Sequence, residues 1–199
     1  MDRRAFLISA AAVAVMAQPA RAAIIPLTEI SAYFNSFKSA QSAFVQYNAD
    51  GSRSRGTLYL QRPGRARFEY DSDGALVMAG GGQVAIFDAR SNSEPQQFPL
   101  KRTPLNLILE NRVDLDRSNL VIAHREQDGR TIVTARDPKQ PEVGTIDLFF
   151  EADPIRFVQW TITDETGART AVVLTGLDTG VRLTSSLFNI PIEIAKRRP

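Results

Sequence analysis

Two periods of apolar residues divide the chain. Residues 26–40, PLTEISAYFNSFKSA, set Leu27, Ile30, Phe34 and Phe37 three and four apart, which predicts one helical stripe. Thr28 stands where an N-cap is expected. Beyond this segment the period falls to two, the signature of a half-buried strand. Strands are predicted over 43–47, 56–62, 66–70, 75–79, 83–88, 120–125, 130–136, 144–151, 155–164 and 170–177. Turn signals separate them: Asp50-Gly51, Pro63-Gly64, Asp73-Gly74, Asp128-Gly129, Asp153-Pro154 and Thr166-Gly167. Gly80-Gly81-Gly82 reads as another hairpin turn. Many short strands at regular spacing predict an antiparallel meander, hence a barrel or sandwich. One interruption, residues 103–111, TPLNLILEN, predicts a short helix with Thr103 as cap and Pro104 at its first position. Leu105, Ile108 and Leu109 share a face of it.

The hairpin around Pro63-Gly64 carries an anomaly. Leu58, Leu60 and Arg62 share one face of the first strand, so an arginine ends an otherwise apolar row. Ala66, Phe68 and Tyr70 share a face of the second strand.

Charge changes the picture at the N-terminus. The formal net charge of +2 arises from the first 22 residues, where Arg3, Arg4 and Arg21 oppose only Asp2. A balanced remainder lacks the concentrated positive face of a nucleic-acid binder. The same 22 residues have the three parts of an export signal: a basic start, a mostly apolar run from Ala5 to Ala17, and Ala20-Arg21-Ala22 as a small-x-small cleavage site. The expected organisation is a cleaved signal over 1–22 and a single domain over 23–199, ending in a basic tail at Lys196-Arg197-Arg198. Arg3-Arg4-Ala5-Phe6-Leu7 is similar to a twin-arginine signal, and the ordinary secretory route fits as well.

Candidate chemistry is sparse. The chain has one histidine, His124, in a strand pattern, and no cysteine. A Ser-His-Asp arrangement needs that histidine, and no nucleophile motif accompanies it. Zinc sites need several His or Cys ligands. No Lys-Ser/Thr follows the glycine run, so it is not a phosphate loop. We expect no enzyme, no metal and no cofactor, which leaves binding as the role.

Gly56 to Tyr70, GTLYLQRPGRARFEY, resembles the signature hairpin of the periplasmic outer-membrane lipoprotein carrier family LolA, in which a Gly-x-Leu-x-x-x-Arg-Pro-Gly core runs into an aromatic strand. Ser42-Ala-Phe-Val-Gln46 is similar to the family's preceding strand, and Thr103-Pro-Leu-Asn-Leu-Ile-Leu109 to its short Thr-Pro helix. Ala66 and Phe68 stand where the family often has larger aromatics. The resemblance implies a mainly β fold with a helical lid (α+β): a curved, incompletely closed antiparallel barrel covered by short helices. It implies an apolar cavity for lipoprotein acyl chains, with Phe44, Leu58, Leu60, Ala66, Phe68 and Tyr70 on the sheet side. Ile30, Phe34, Phe37, Leu105, Ile108 and Leu109 would cover it. Arg62 matches the arginine to which the family assigns lid closure, and the C-terminus of the 103–111 helix is its simplest partner. The implied partners are lipoproteins, an inner-membrane ABC exporter that loads the carrier and an outer-membrane acceptor. The protein is expected to be a periplasmic monomer. A LolA-like lipid-binding, sensor or scaffold module without delivery is the other reading.

Overall fold

The structure, a computed structural model, describes residues 24–72, 74–88, 94–116 and 119–197. The expected export signal with its cleavage site, Asp73 of the Asp73-Gly74 turn, and Arg198 of the basic tail lie outside these residues.

Helix α1 spans Leu27–Asn35. Strands β1 to β6 follow at Ser39–Tyr47, Arg53–Gln61, Arg65–Tyr70, Leu76–Gly80, Gln83–Phe87 and Gln96–Pro99. A 3-10 turn at Leu100–Arg102 leads into α2, a single turn at Asn106–Leu109. Strands β7 to β11 run over Val121–Gln127, Arg130–Ala135, Thr145–Glu151, Arg156–Thr163 and Arg169–Thr179, and α3 over Ile190–Arg197 closes the described chain.

The strands form one antiparallel sheet in the order β6-β5-β4-β3-β2-β1-β11-β10-β9-β8-β7. Each half is a meander of neighbours. The two halves join through β1 and β11, paired from Ala40↔Thr179 to Tyr47↔Ala171. β6 and β7 do not pair, so the sheet is not closed. It does curl. β3 and β10 stand four strand spacings apart, about 19 Å in a flat sheet, yet the rings of Phe68 and Trp160 lie 6.1 Å apart. Residues of one parity fill the concave side: Ile146, Leu148 and Phe150 of β9 are fully buried while their neighbours are half-exposed.

α1 lies against this concave side. Ile30 and Phe34 are buried, and the Phe34 ring meets Phe150 at 5.6 Å and Phe157 at 5.1 Å. The helix is shorter than the apolar stripe suggests, ending at Asn35 because Ser39 already pairs with Gln61 in the sheet. Phe37 follows in the connection, half-buried against the core. Thr28 does not cap α1. Pro26 precedes the helix without a side-chain cap, and Thr28 falls in its first turn. Thr103 is no cap either; its hydroxyl donates to the Leu100 carbonyl at 2.8 Å, closing the 3-10 turn. The expected 103–111 helix is thus one turn, and it buries Leu107 with Ile108 and Leu109 while Leu105 is half-buried.

The convex side carries a second, smaller core. Leu76, Met78, Ala85 and Phe87 pack there against Ile190 and Ile194 of α3. Lys196 and Arg197 of the basic tail fall in the last turn of α3: Arg197 bonds Glu193 at 2.9 Å and lies 5.1 Å from the Phe87 ring centroid. Gly80 permits this docking. A Cβ there would stand 2.1 Å from the Phe188 carbonyl oxygen, so the turn leading to α3 reaches the sheet only over a glycine.

Candidate functional site

The β2–β3 hairpin builds the wall beneath α1. Its register sets Leu58 opposite Phe68, Leu60 opposite Ala66 and Gly56 opposite Tyr70. Phe44 of β1 faces Gly56 and meets the rings of Phe68 at 5.7 Å and Tyr70 at 5.4 Å. Phe44, Leu58, Leu60, Ala66, Phe68, Ile30, Phe34, Ile108 and Leu109 are all buried in one cluster. Tyr70, Phe37 and Leu105 pack half-buried on its rim. Every apolar residue singled out in the sequence therefore meets the others here. Phe150, Phe157, Trp160 and Leu107 belong to the same cluster beyond those named from the sequence; the alternation of β9 carries the signal for Phe150, while Phe157 and Trp160 face the core together only across the register shift of β10.

The space between sheet and helices is occupied by these side chains. What remains beside Arg62 is a pocket of about 10 Å³, lined by Phe34, Phe37, Lys38, Leu60, Arg62, Ile108, Phe157 and Leu177. That is scarcely room for one water molecule.

Arg62 is only 5% exposed. Its Nη2 donates to the carbonyl of Phe34 in the last turn of α1 and to that of Phe37 just beyond the helix. This corrects the expectation that the arginine would hold the 103–111 helix. The backbone of the hairpin does that instead, with the Gly64 N–H donating to the Leu109 carbonyl at 2.7 Å. The last carbonyls of a helix lack intrahelical partners and carry the negative end of its dipole, so a cation suits them. The match is incomplete. Nε and Nη1 of Arg62 are buried without a hydrogen-bond partner. Among the described residues no carboxylate pairs with the guanidinium, which lies 5.4 Å from the Phe37 ring centroid. Burial lowers its pKa from the usual arginine value.

The cover is braced within itself. Asn35 clasps Val113 twice, Nδ2 to its carbonyl at 2.7 Å and Oδ1 from its N–H at 3.0 Å. Ser31 Oγ accepts the Leu115 N–H at 3.0 Å, and Lys38 Nζ donates to the Asn111 carbonyl at 2.7 Å. The 111–115 strap and α1 are therefore joined by side-chain hydrogen bonds. Tyr33 reaches from α1 to the sheet, its hydroxyl accepting the Phe157 N–H at 3.3 Å; burial raises its pKa, and this bond works against that rise. His124, half-buried, bonds the Ile25 carbonyl at 3.0 Å through Nε2, tying the start of the described chain to β7.

Among the described residues no helix is long and apolar enough to cross a membrane. The family described as outer membrane lipoprotein carrier protein LolA matches residues 35–191. An outer-membrane lipoprotein carrier protein of Methylococcus capsulatus is 24% identical over 176 residues, with 82% of each chain covered. One from Chromohalobacter salexigens is 26% identical over 174 residues, covering 82% of this chain and 81% of that one. Among solved structures, one described as an outer membrane lipoprotein-sorting protein domain, from Vibrio parahaemolyticus, shares the fold. Its TM-score is 0.50 at 8% identity, over 83% of this chain and 96% of that one.

Proposed function

Since this chain belongs to the LolA family of outer membrane lipoprotein carriers, we propose that it works in the periplasm as a monomeric shuttle. It takes the acyl chains of lipoproteins between its curled sheet and its helical cover. An inner-membrane ABC exporter loads it, and an outer-membrane acceptor unloads it.

The observation that carries this reading is the half-satisfied Arg62. Burying a cation without a counter-ion is costly, and leaving two of its donors unmatched adds to the cost. The contact that fastens α1 to the hairpin is therefore weak by construction. A filled interior also means that acyl chains enter only when the cover withdraws. Each methylene buried is worth about 0.8 kcal/mol, so about fifteen of them contribute about 12 kcal/mol. Held in a rigid pocket, such a cargo would leave slowly. Here Phe34, Phe37 and Leu107–Leu109 cover the same wall in the empty protein. Cargo and cover exchange similar apolar surface, and a small difference decides between them. The internal bonds of the cover let α1 and the 111–115 strap move as one piece.

Replacing the latch separates closing from binding. Arg62→Leu is expected to fold and to bind lipoprotein, because the apolar wall is intact, and to fail in passing cargo to the acceptor. Normal hand-over by this variant overturns the latch. The filled interior also favours a second reading, a sensor or scaffold that carries no cargo. Mild purification from cell envelopes followed by mass spectrometry separates the two: a carrier brings lipoproteins with it, and a scaffold does not.

A further inference from the structure

A second opening lies in the sheet itself, on the flank of the core. β10 and β11 pair only from Gln159↔Val173 to Thr163↔Arg169. Beyond that point the strands part. A register shift between Phe157 and Gln159 leaves Val158 out of the pairing with β9. A second shift, between Gln41 and Ala43, accompanies Gly176 at φ +76° and leads β11 along β1, away from β10. Bulges end pairing and bend strands in this way. The seam between them is a slot of about 270 Å³, roughly the volume of nine waters at about 30 Å³ each.

Its walls and its rim differ in chemistry. Tyr33, Phe157, Val158, Val173, Leu174 and Leu177 make the walls. At the mouth stand Arg130, Arg156 and Glu151. Glu151 accepts from Arg156 Nη2 at 2.6 Å and from Arg130 Nη2 at 3.5 Å, so two cations share one carboxylate. Their side chains are 63% and 43% exposed, and each guanidinium has further donors in a fork that suits a phosphate. An apolar slot beneath a net positive rim fits an amphiphile with an anionic head.

We propose that the β10–β11 seam holds one hydrocarbon tail of an anionic phospholipid, with the lipid phosphate against Arg130 and Arg156. The tail lies beside Phe157, whose ring separates the slot from the pocket under Arg62. The slot shares Phe157 and Leu177 with the pocket under Arg62 but is lined separately along the β10–β11 flank.

Trp160, the sole tryptophan, stacks on Phe157 of the slot at 5.8 Å and also lies 6.1 Å from Phe68 of the core, so the slot-filled variants below assign any quenching to one or the other. The full-length protein is titrated with vesicles of phosphatidylglycerol bearing brominated tails, and with phosphatidylcholine bearing the same tails. Phosphatidylglycerol is expected to quench Trp160 at lower concentration. The Arg130→Gln/Arg156→Gln double variant is expected to need about thirtyfold more of it, since each basic side chain at an anionic lipid surface contributes about 1 kcal/mol. Val158→Phe fills the slot from β10 and is expected to abolish quenching; Val173→Phe does so from β11 should the first variant not fold. Equal quenching by both lipids, or full quenching in a folded, slot-filled variant, overturns the proposal. Lipoprotein capture measured on the same samples keeps the two ideas separate. Capture without quenching sinks the slot alone, and quenching without capture sinks the carrier.

Discussion

Two arginines five residues apart on one hairpin are buried on opposite faces of the sheet, and their surroundings are unlike. Arg62 faces the concave core at 5% exposure, held by the carbonyls of Phe34 in α1 and Phe37 just beyond it, with Nε and Nη1 unmatched. Arg67 faces the convex side at 9% exposure and is well supplied. It donates to Glu69 at 2.6 Å, to Glu193 at 3.1 Å and to the Leu187 carbonyl at 3.2 Å. Glu193 in turn takes Arg197 at 2.9 Å. Burial alone would raise the Glu193 carboxyl. Hydrogen bonds from Arg197 and Arg67 outweigh it and hold the pKa below its usual value. The convex arginine fastens α3 to the sheet with a compensated charge network. The concave one fastens α1 with an uncompensated charge. On the carrier reading proposed above, the contrast is that of an element that stays, given partners, with one that withdraws, given few.

The largest test of this contrast is Arg67→Met. It leaves Glu193 with Arg197 alone, and breaking a buried pair by removing one member costs about 3–5 kcal/mol. Urea unfolding should show a loss near the lower end of that range, since both side chains keep some contact with water. A loss below about 1 kcal/mol would mean that the clasp is ornamental. Next comes Gly80→Ala, whose methyl would meet the Phe188 carbonyl. Overpacking of this kind costs about 1–3 kcal/mol, and limited proteolysis should show the segment after β11 released first. Arg62→Leu comes third. Replacing a buried charge by an apolar side chain is often near neutral, so stability should change by less than about 1 kcal/mol while cargo hand-over fails. A large destabilisation would make Arg62 a structural residue like Arg67.

Acid provides the smallest effect. The depressed Glu193 carboxyl adds stability that is present above its unfolded value and lost as pH falls through the folded one. Between about pH 5 and pH 3 the wild type should lose more stability than Glu193→Gln, as followed by urea midpoints. Parallel curves for the two proteins would remove Glu193 from the network.

Much of this was legible in the sequence because it is periodic. Alternation in 56–62 and 66–70 set Leu58, Leu60 and Arg62 on one face, and the pairing of β2 with β3 keeps them there. The helical stripe put Ile30 and Phe34 on one face, and both are buried. The convex core was less visible. In Leu76–Gly80 both faces are buried, so alternation vanishes, and an unbroken apolar run was the sole sign that something covers the outer side. Gly80 read as part of a turn, since a sequence shows that a side chain is missing but not what occupies its place.

The sequence by itself determined the meander, the inward parity of the β2–β3 hairpin and the presence of a cation at the end of an apolar row, because these follow from local period and turn chemistry. Tertiary structure alone decided which carbonyls Arg62 meets, how fully the interior is packed, that α3 clasps the convex face and that β10 and β11 part to leave a slot. Each of those depends on how far the sheet curls and where its bulges fall, and curl is a sum over many strand pairs that no short stretch of residues contains.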